Sequence, residues 1–155
     1  MQKIRLPIRK TLVGLMMLSS MACSKNTAAD KPNDLVGNWK VVHYLDGDSK
    51  ITKTEKNTWP DINNGDITAN FTATDTEGKG KISGVKVTNT YSGTYMLTEN
   101  NKMSISPIIS TEISEPDWTQ LFQITEADTY TLEGNQLKIY LKQDSRVIVL
   151  EKIDS

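Results

Sequence analysis

The chain of 155 residues is 37% hydrophobic and 24% charged, enough to bury one modest core and too short for more than one domain. Its net charge is −1, but the first 22 residues hold four basic residues and no acid, leaving 14 basic against 19 acidic residues, a net −5, for the remainder. A domain of that charge has no electrostatic reason to seek nucleic acid, and its threonines, tyrosines and regular turn residues point to a mainly β fold.

Lys3, Arg5, Arg9 and Lys10 precede an apolar run over residues 11–18, relieved only by Gly14. Basic then apolar, and too short to anchor across a bilayer, residues 1–22 read as a secretory signal peptide outside the fold. The sole cysteine, Cys23, follows small Ala22 at the end of that run. This arrangement resembles a bacterial lipobox, in which the thiol is acylated and becomes the mature N terminus. The usual leucine three residues before the cysteine is Ser20 here, and ordinary cleavage after Ala22 is the competing reading. Acylation gives a lone exported cysteine a reason to exist, and more than one acyl chain makes anchoring stable. Residues 23–33 are then a lipidated flexible tether, its polar stretch SKNTAADKPN spanning roughly 17–19 Å. Ser24 is not an inner-membrane-retaining aspartate, so the expected address is the outer membrane of the cell envelope. The expected partners are the membrane, through the lipid anchor, and another envelope protein; the domain itself is expected to be a monomer.

The folded domain takes residues 34–155. It opens on Leu35, Gly37 and Trp39, and the alternation of Trp39, Val41, His43 and Leu45 with Lys40, Val42 and Tyr44 predicts a first strand with a large aromatic at its base. Residues 46–65 are polar with Trp59-Pro60 in their middle, which reads as a long loop, functional or mobile. Its Asp46-Gly47-Asp48 start is not a calcium site, because Lys50, Ile51 and Asn57 occupy ligand and glycine positions. Ile67, Ala69 and Phe71 predict a strand with one buried face, and Gly78-Lys79-Gly80 a turn back into residues 81–88. The Asn70-Phe71-Thr72 glycosylation match is empty behind a bacterial leader.

Residues 82–95, ISGVKVTNTYSGTY, carry Gly84, Asn89, Gly93 and Tyr95 between apolar positions and read as two short strands joined by a sterically demanding corner. That spacing resembles the core motif of the META domain, the family of the heat-shock lipoprotein HslJ. The family pattern runs glycine, two residues, Gly-Cys-Asn, three residues, glycine, one residue, tyrosine. Val87 stands where the family has its second glycine and Thr88 where it has cysteine. The family's second cysteine, four residues after a threonine matched by Thr111, is Glu115 here. Both cysteines are therefore absent together. The resemblance implies an α+β fold that is mainly β, a small antiparallel, bent or barrel-like sheet with one short helix.

Further on, Asn100-Asn101 suits a hairpin, and Met103, Ile105, Pro107 and Ile108 predict a strand that its proline places at an edge. Ser114 is the expected N-cap of a helix over 116–123, with Trp118, Leu121 and Phe122 as its buried stripe. Two alternating segments around Gly134-Asn135 predict a closing hairpin, followed by a last strand over 147–150.

No nucleophile elbow, phosphate loop, dinucleotide fingerprint or metal-binding motif occurs, and His43 stands alone. Glu112, Glu115 and Asp117 read as a solvated helix start and not as an acid/base pair. No enzyme and no cofactor are expected. The resemblance implies a non-enzymatic envelope lipoprotein linked to stress or antibiotic tolerance through protein contacts. The alternative is a lipocalin-like β-barrel carrier of a small apolar ligand, because Gly-x-Trp also opens those barrels; Trp39 and Trp59 are its candidate contacts. Gly84, Asn89, Gly93 and Tyr95 are expected to be structural.

Overall fold

The computed structural model describes residues 35–143 and 145–153; the leader, the tether and Cys23 lie outside them. Among the described residues ten strands form one antiparallel sheet: β1 (Gly37–Asp46), β2 (Ser49–Thr52), β3 (Thr68–Phe71), β4 (Lys79–Lys86), β5 (Asn89–Thr98), β6 (Lys102–Ile105), β7 (Ile109–Ser110), β8 (Ala127–Glu133), β9 (Gln136–Leu141) and β10 (Arg146–Ile153). The path β1-β3-β4-β5-β6-β8-β9-β10 returns to β1, which closes an eight-stranded barrel. β2 extends the sheet from the second half of β1, and β7 lies beside β5. One short helix, α1 (Asp117–Gln120), joins β7 to β8.

Alternation along the strands sends Trp39, Ile67, Phe71, Ile82, Ile139 and Ile148 inward, where each is 0–1% exposed. Eight strands enclose a space that side chains can fill, and here one continuous buried cluster occupies it. β1 departs from simple alternation. The register with β10 shifts between Val41 and His43, so Val42 is an inserted bulge residue. The bulge inverts the phase of the second half of the strand: Tyr44 is fully buried, while His43 and Leu45, expected inside, are only half-buried.

The polar segment after β1 is more ordered than a loop. It contains β2, whose one partly buried residue, Ile51, gives no alternation to read. Lys53 donates to the Asp66 carboxylate at 2.5 Å, and Thr58, 5% exposed, donates to the Gly65 carbonyl at 3.2 Å. The predicted helix is also shorter than its stripe. Pro116 and not Ser114 precedes its first turn, with no side-chain cap, and the chain leaves the helix at Leu121. Trp118 and Phe122 nevertheless go inside, 0% and 6% exposed. The Trp118 backbone N–H bonds the Asn57 carbonyl at 2.8 Å, and its ring meets Tyr44 edge-on at 4.7 Å. Helix and tryptophan thus stopper the barrel at the end of β1 away from Leu35.

The barrel is weakest between β6 and β8. Their ladder has a single pair, Lys102 with Thr129, backed by the Tyr130 N–H to the Asn101 carbonyl at 3.0 Å. The edge strand predicted over residues 103–108 is instead split: β6 ends at Ile105 and pairs with both β5 and β8 inside the barrel, and Pro107 lies between it and the short β7.

Candidate functional site

β4 and β5 form one hairpin, in register from Lys79 with Met96 to Lys86 with Asn89. Only Val87 and Thr88 make its turn. Val87 has φ +41 and Thr88 has no positive φ, the sign pattern of a type II′ hairpin, whose first turn position favours glycine. A buried valine there, 2% exposed, holds a backbone conformation that a β-branched residue resists. The sharp corner therefore sits at Val87. Gly84 and Gly93 lie within the strands without positive φ, so the corner expected of them is not their role.

Their role is close approach. A Cβ on Gly84 would stand 2.0 Å from the Thr68 carbonyl oxygen and 2.9 Å from the Tyr91 ring. Tyr91, directly opposite on β5, lies over Gly84 and donates its hydroxyl to the Thr68 carbonyl at 2.9 Å. Four residues along, the same device recurs. Tyr95 lies over Gly80 and donates to the Thr72 carbonyl at 2.5 Å, its ring 5.1 Å from Phe71. Two glycines on β4 thus let two tyrosines of β5 reach across to carbonyls of the β3 segment. Gly93 is different: a Cβ there would press Ile108 Cγ2 at 3.2 Å, a side chain that packs on the core from beyond Pro107. Burial pushes the phenols of Tyr44, Tyr91 and Tyr95 upward from their ordinary value.

Asn89, 2% exposed, organises the second half of the site. The Ile113 N–H donates to its Oδ1 at 2.8 Å, and its Nδ2 donates to the Ile113 carbonyl at 2.7 Å. The side-chain amide therefore pairs with Ile113 as a backbone amide would in a ladder, continuing the β5–β7 alignment past the strand ends. Thr111 Oγ1 also donates to Asn89 Oδ1 at 2.8 Å. Glu115 closes the arrangement: one oxygen accepts the Asn89 N–H at 2.9 Å and its Nδ2 at 2.6 Å, the other the Thr88 N–H at 3.4 Å. Thr88 Oγ1 donates to the Ser114 carbonyl at 2.9 Å. The two positions at which the family pattern has cysteines are thus tied together by a carboxylate on backbone amides.

Of the residues singled out by sequence, Gly84, Asn89, Gly93 and Tyr95 meet in this hairpin. Trp39 and Trp59 do not form one site. Trp39 is fully buried, its Nε1 donating to the Leu35 carbonyl at 2.8 Å with Lys152 above the ring, whereas Trp59 is 39% exposed on the segment before β3. Sequence reasoning missed Gly80, Tyr91 and the partnership of Glu115 with Asn89. A signal was present in the matched spacing of Gly80 with Gly84 and Tyr91 with Tyr95. Trp118 Nε1 is buried and has no hydrogen-bond partner among the described residues, so that side chain stabilises by packing. Among the described residues no group of three or more His, Cys, Asp or Glu side chains stands together. Solvent-facing grooves, one of about 460 Å³ beside Ser83, Ser92 and Ser106, lie on the outer wall.

Fold and site define a small closed antiparallel barrel, filled by its own side chains and braced by a glycine–tyrosine hairpin. The META-domain family profile matches residues 33–154, and the chain belongs to the META domain family. A search of curated proteins returns no match. Among solved structures, the chain is similar in fold to a DUF4847 family protein from Bacteroides vulgatus, at 17% identity and a TM-score of 0.55, covering 77% of this chain and 96% of that one.

Proposed function

We propose that this META-domain protein is a non-enzymatic lipoprotein of the bacterial envelope, acylated at Cys23, held at the outer membrane by the residue 23–33 tether, and acting on other envelope proteins through the barrel's outer surface in stress or antibiotic tolerance. The observation that carries this reading is the filled interior. Carriers of drug-sized ligands use cavities of about 300–1,000 Å³. Here Trp39, Tyr44 and Trp118, each 0% exposed, sit in the continuous core, and the grooves open outward. The lipocalin-like carrier is therefore the weaker reading, and contact through the outer surface the stronger. The basic and apolar leader ending at Ala22-Cys23 supports the anchor.

Fatty-acid labelling of cells expressing the wild type and Cys23→Ala tests the anchor; label in the wild type alone is expected, and equal labelling overturns it. Native mass spectrometry of protein purified from its host tests the carrier. A stoichiometric small molecule in the barrel would replace the contact reading with the carrier one.

A further inference from the structure

We infer that the β6–β8 seam is a salt-sensitive gate, latched by the ion pair between Lys102 and Asp128, which opens while the rest of the barrel stays folded. Among the described residues that seam is one ladder pair, Lys102 with Thr129, whereas β1 with β10 and β4 with β5 are each joined by eight pairs. The single pair cannot extend in either direction. On one side Asn100 and Asn101 hold φ of 60° and 54°, a left-handed turn that leaves the strand. On the other, the register of β8 with β9 shifts between Ala127 and Thr129, so Asp128 is a bulge residue that bends β8. β6 itself stops at Ile105, and Pro107 beyond it has no N–H to give. Each flank is held better by its other neighbour, β6 by four pairs with β5 and β8 by six with β9.

Two further ties cross the seam. The Tyr130 N–H bonds the Asn101 carbonyl at 3.0 Å, and Lys102 Nζ donates to both oxygens of the Asp128 carboxylate, at 3.0 and 2.9 Å. The lysine and aspartate side chains are 53% and 38% exposed, so dissolved salt screens their attraction. Proteins open locally where few backbone bonds must break, at free energies well below that of global unfolding. Opening here uncovers the inward Met103 and Ile105 of β6 and Tyr130 of β8, all buried in the closed barrel. The seam therefore makes apolar surface available on a change of ionic strength, with no permanent cavity in the barrel.

Native-state hydrogen exchange on the chain carrying Cys23→Ser, which leaves no thiol, tests the gate. The Tyr130 amide reports the seam, and the Val41 amide, bonded to the Ile67 carbonyl at 2.9 Å, reports the rest of the barrel. Tyr130 is expected to be at least about tenfold less protected than Val41, with a weaker urea dependence. High salt should speed its exchange by about two- to fivefold, the range of an exposed ion pair, and leave Val41 unchanged. Asp128→Asn should have the same effect at low salt and then show no further response to salt. Because residues 101 and 130 are hydrogen-bonded, Lys102 and Thr129 are the adjacent non-bonded pair, with Cα atoms about 4.5 Å apart, a separation that a disulfide spans. Lys102→Cys with Thr129→Cys, once oxidised, should raise Tyr130 protection to near that of Val41. Equal protection of the two amides in the parent chain, Tyr130 exchange indifferent to salt, or a salt response that survives Asp128→Asn would overturn the gate. So would a cysteine pair that fails to oxidise, or one that closes and leaves Tyr130 exchange unchanged.

Discussion

Tyr91 lies across Gly84 on the neighbouring strand, and its hydroxyl passes over that glycine to the Thr68 carbonyl 2.9 Å away. The same carbonyl oxygen stands 2.0 Å from where a Cβ on Gly84 would be, so any side chain meets backbone that three strands hold in place. Gly84→Ala is expected to cost about 3 kcal/mol or more in urea denaturation. Gly93→Ala meets the Ile108 Cγ2 methyl at 3.2 Å, a contact that a shift of a few tenths of an ångström relieves, and should cost about 1 kcal/mol. Equal losses at the two sites would remove the distinction between them.

The buried phenols make the barrel alkali-sensitive. Tyr44, Tyr91 and Tyr95 all have their pKa raised in the folded state, in each case first by desolvation, from a value of 10.0 that the unfolded chain recovers. Their neutral forms thus contribute stability that is fully present below pH 10 and lost as pH rises toward the folded-state values. The melting temperature is expected to hold up to about pH 9 and to fall steeply above about pH 10. In Tyr91→Phe, which also loses the Thr68 bond, the baseline should be lower and the alkaline fall shallower.

Much of this was legible in the sequence. The inward positions Ile67, Ala69 and Phe71, the Asn100-Asn101 turn with φ of 60° and 54°, and the Trp118 and Phe122 stripe all follow from local patterns. What escaped depended on partners distant in the chain. The Val42 bulge exists because β1 must pair β10 along its length and β3 and β2 in turn, and nothing within residues 37–46 records that. Likewise Asn89 and Glu115 are 26 residues apart, and neither residue type announces that a side-chain amide will stand in for backbone.

The Asn89–Glu115 tie fastens the segment before α1 to the hairpin. Asn89→Ala strips the Ile113 amide and carbonyl of their partners and should cost about 3 kcal/mol. The same proximity predicts that Thr88→Cys with Glu115→Cys closes a disulfide under oxidising conditions, as the resemblance to the family's two-cysteine pattern implies. Relative to its reduced form the oxidised pair should gain about 2–4 kcal/mol. Failure to oxidise, read by thiol titration of the folded protein in the Cys23→Ser background, would show that the two positions do not approach closely enough.

Val87 offers the last test, because two effects of similar size oppose each other there. Holding a valine at φ +41 costs on the order of 1–3 kcal/mol, and glycine relieves that strain. Burial of the same side chain, 2% exposed, contributes about 1.5–3 kcal/mol, which glycine forfeits. Val87→Gly is therefore expected to stay within about 1 kcal/mol of the parent chain. Val41→Gly, equally buried at 3% but on strand backbone of ordinary φ, loses packing and gains no relief, and should cost about 3–4 kcal/mol. Denaturation of the two variants side by side separates strain from packing: if Val87→Gly is as damaging as Val41→Gly, the turn stores no strain and the glycine preference at this position has another cause.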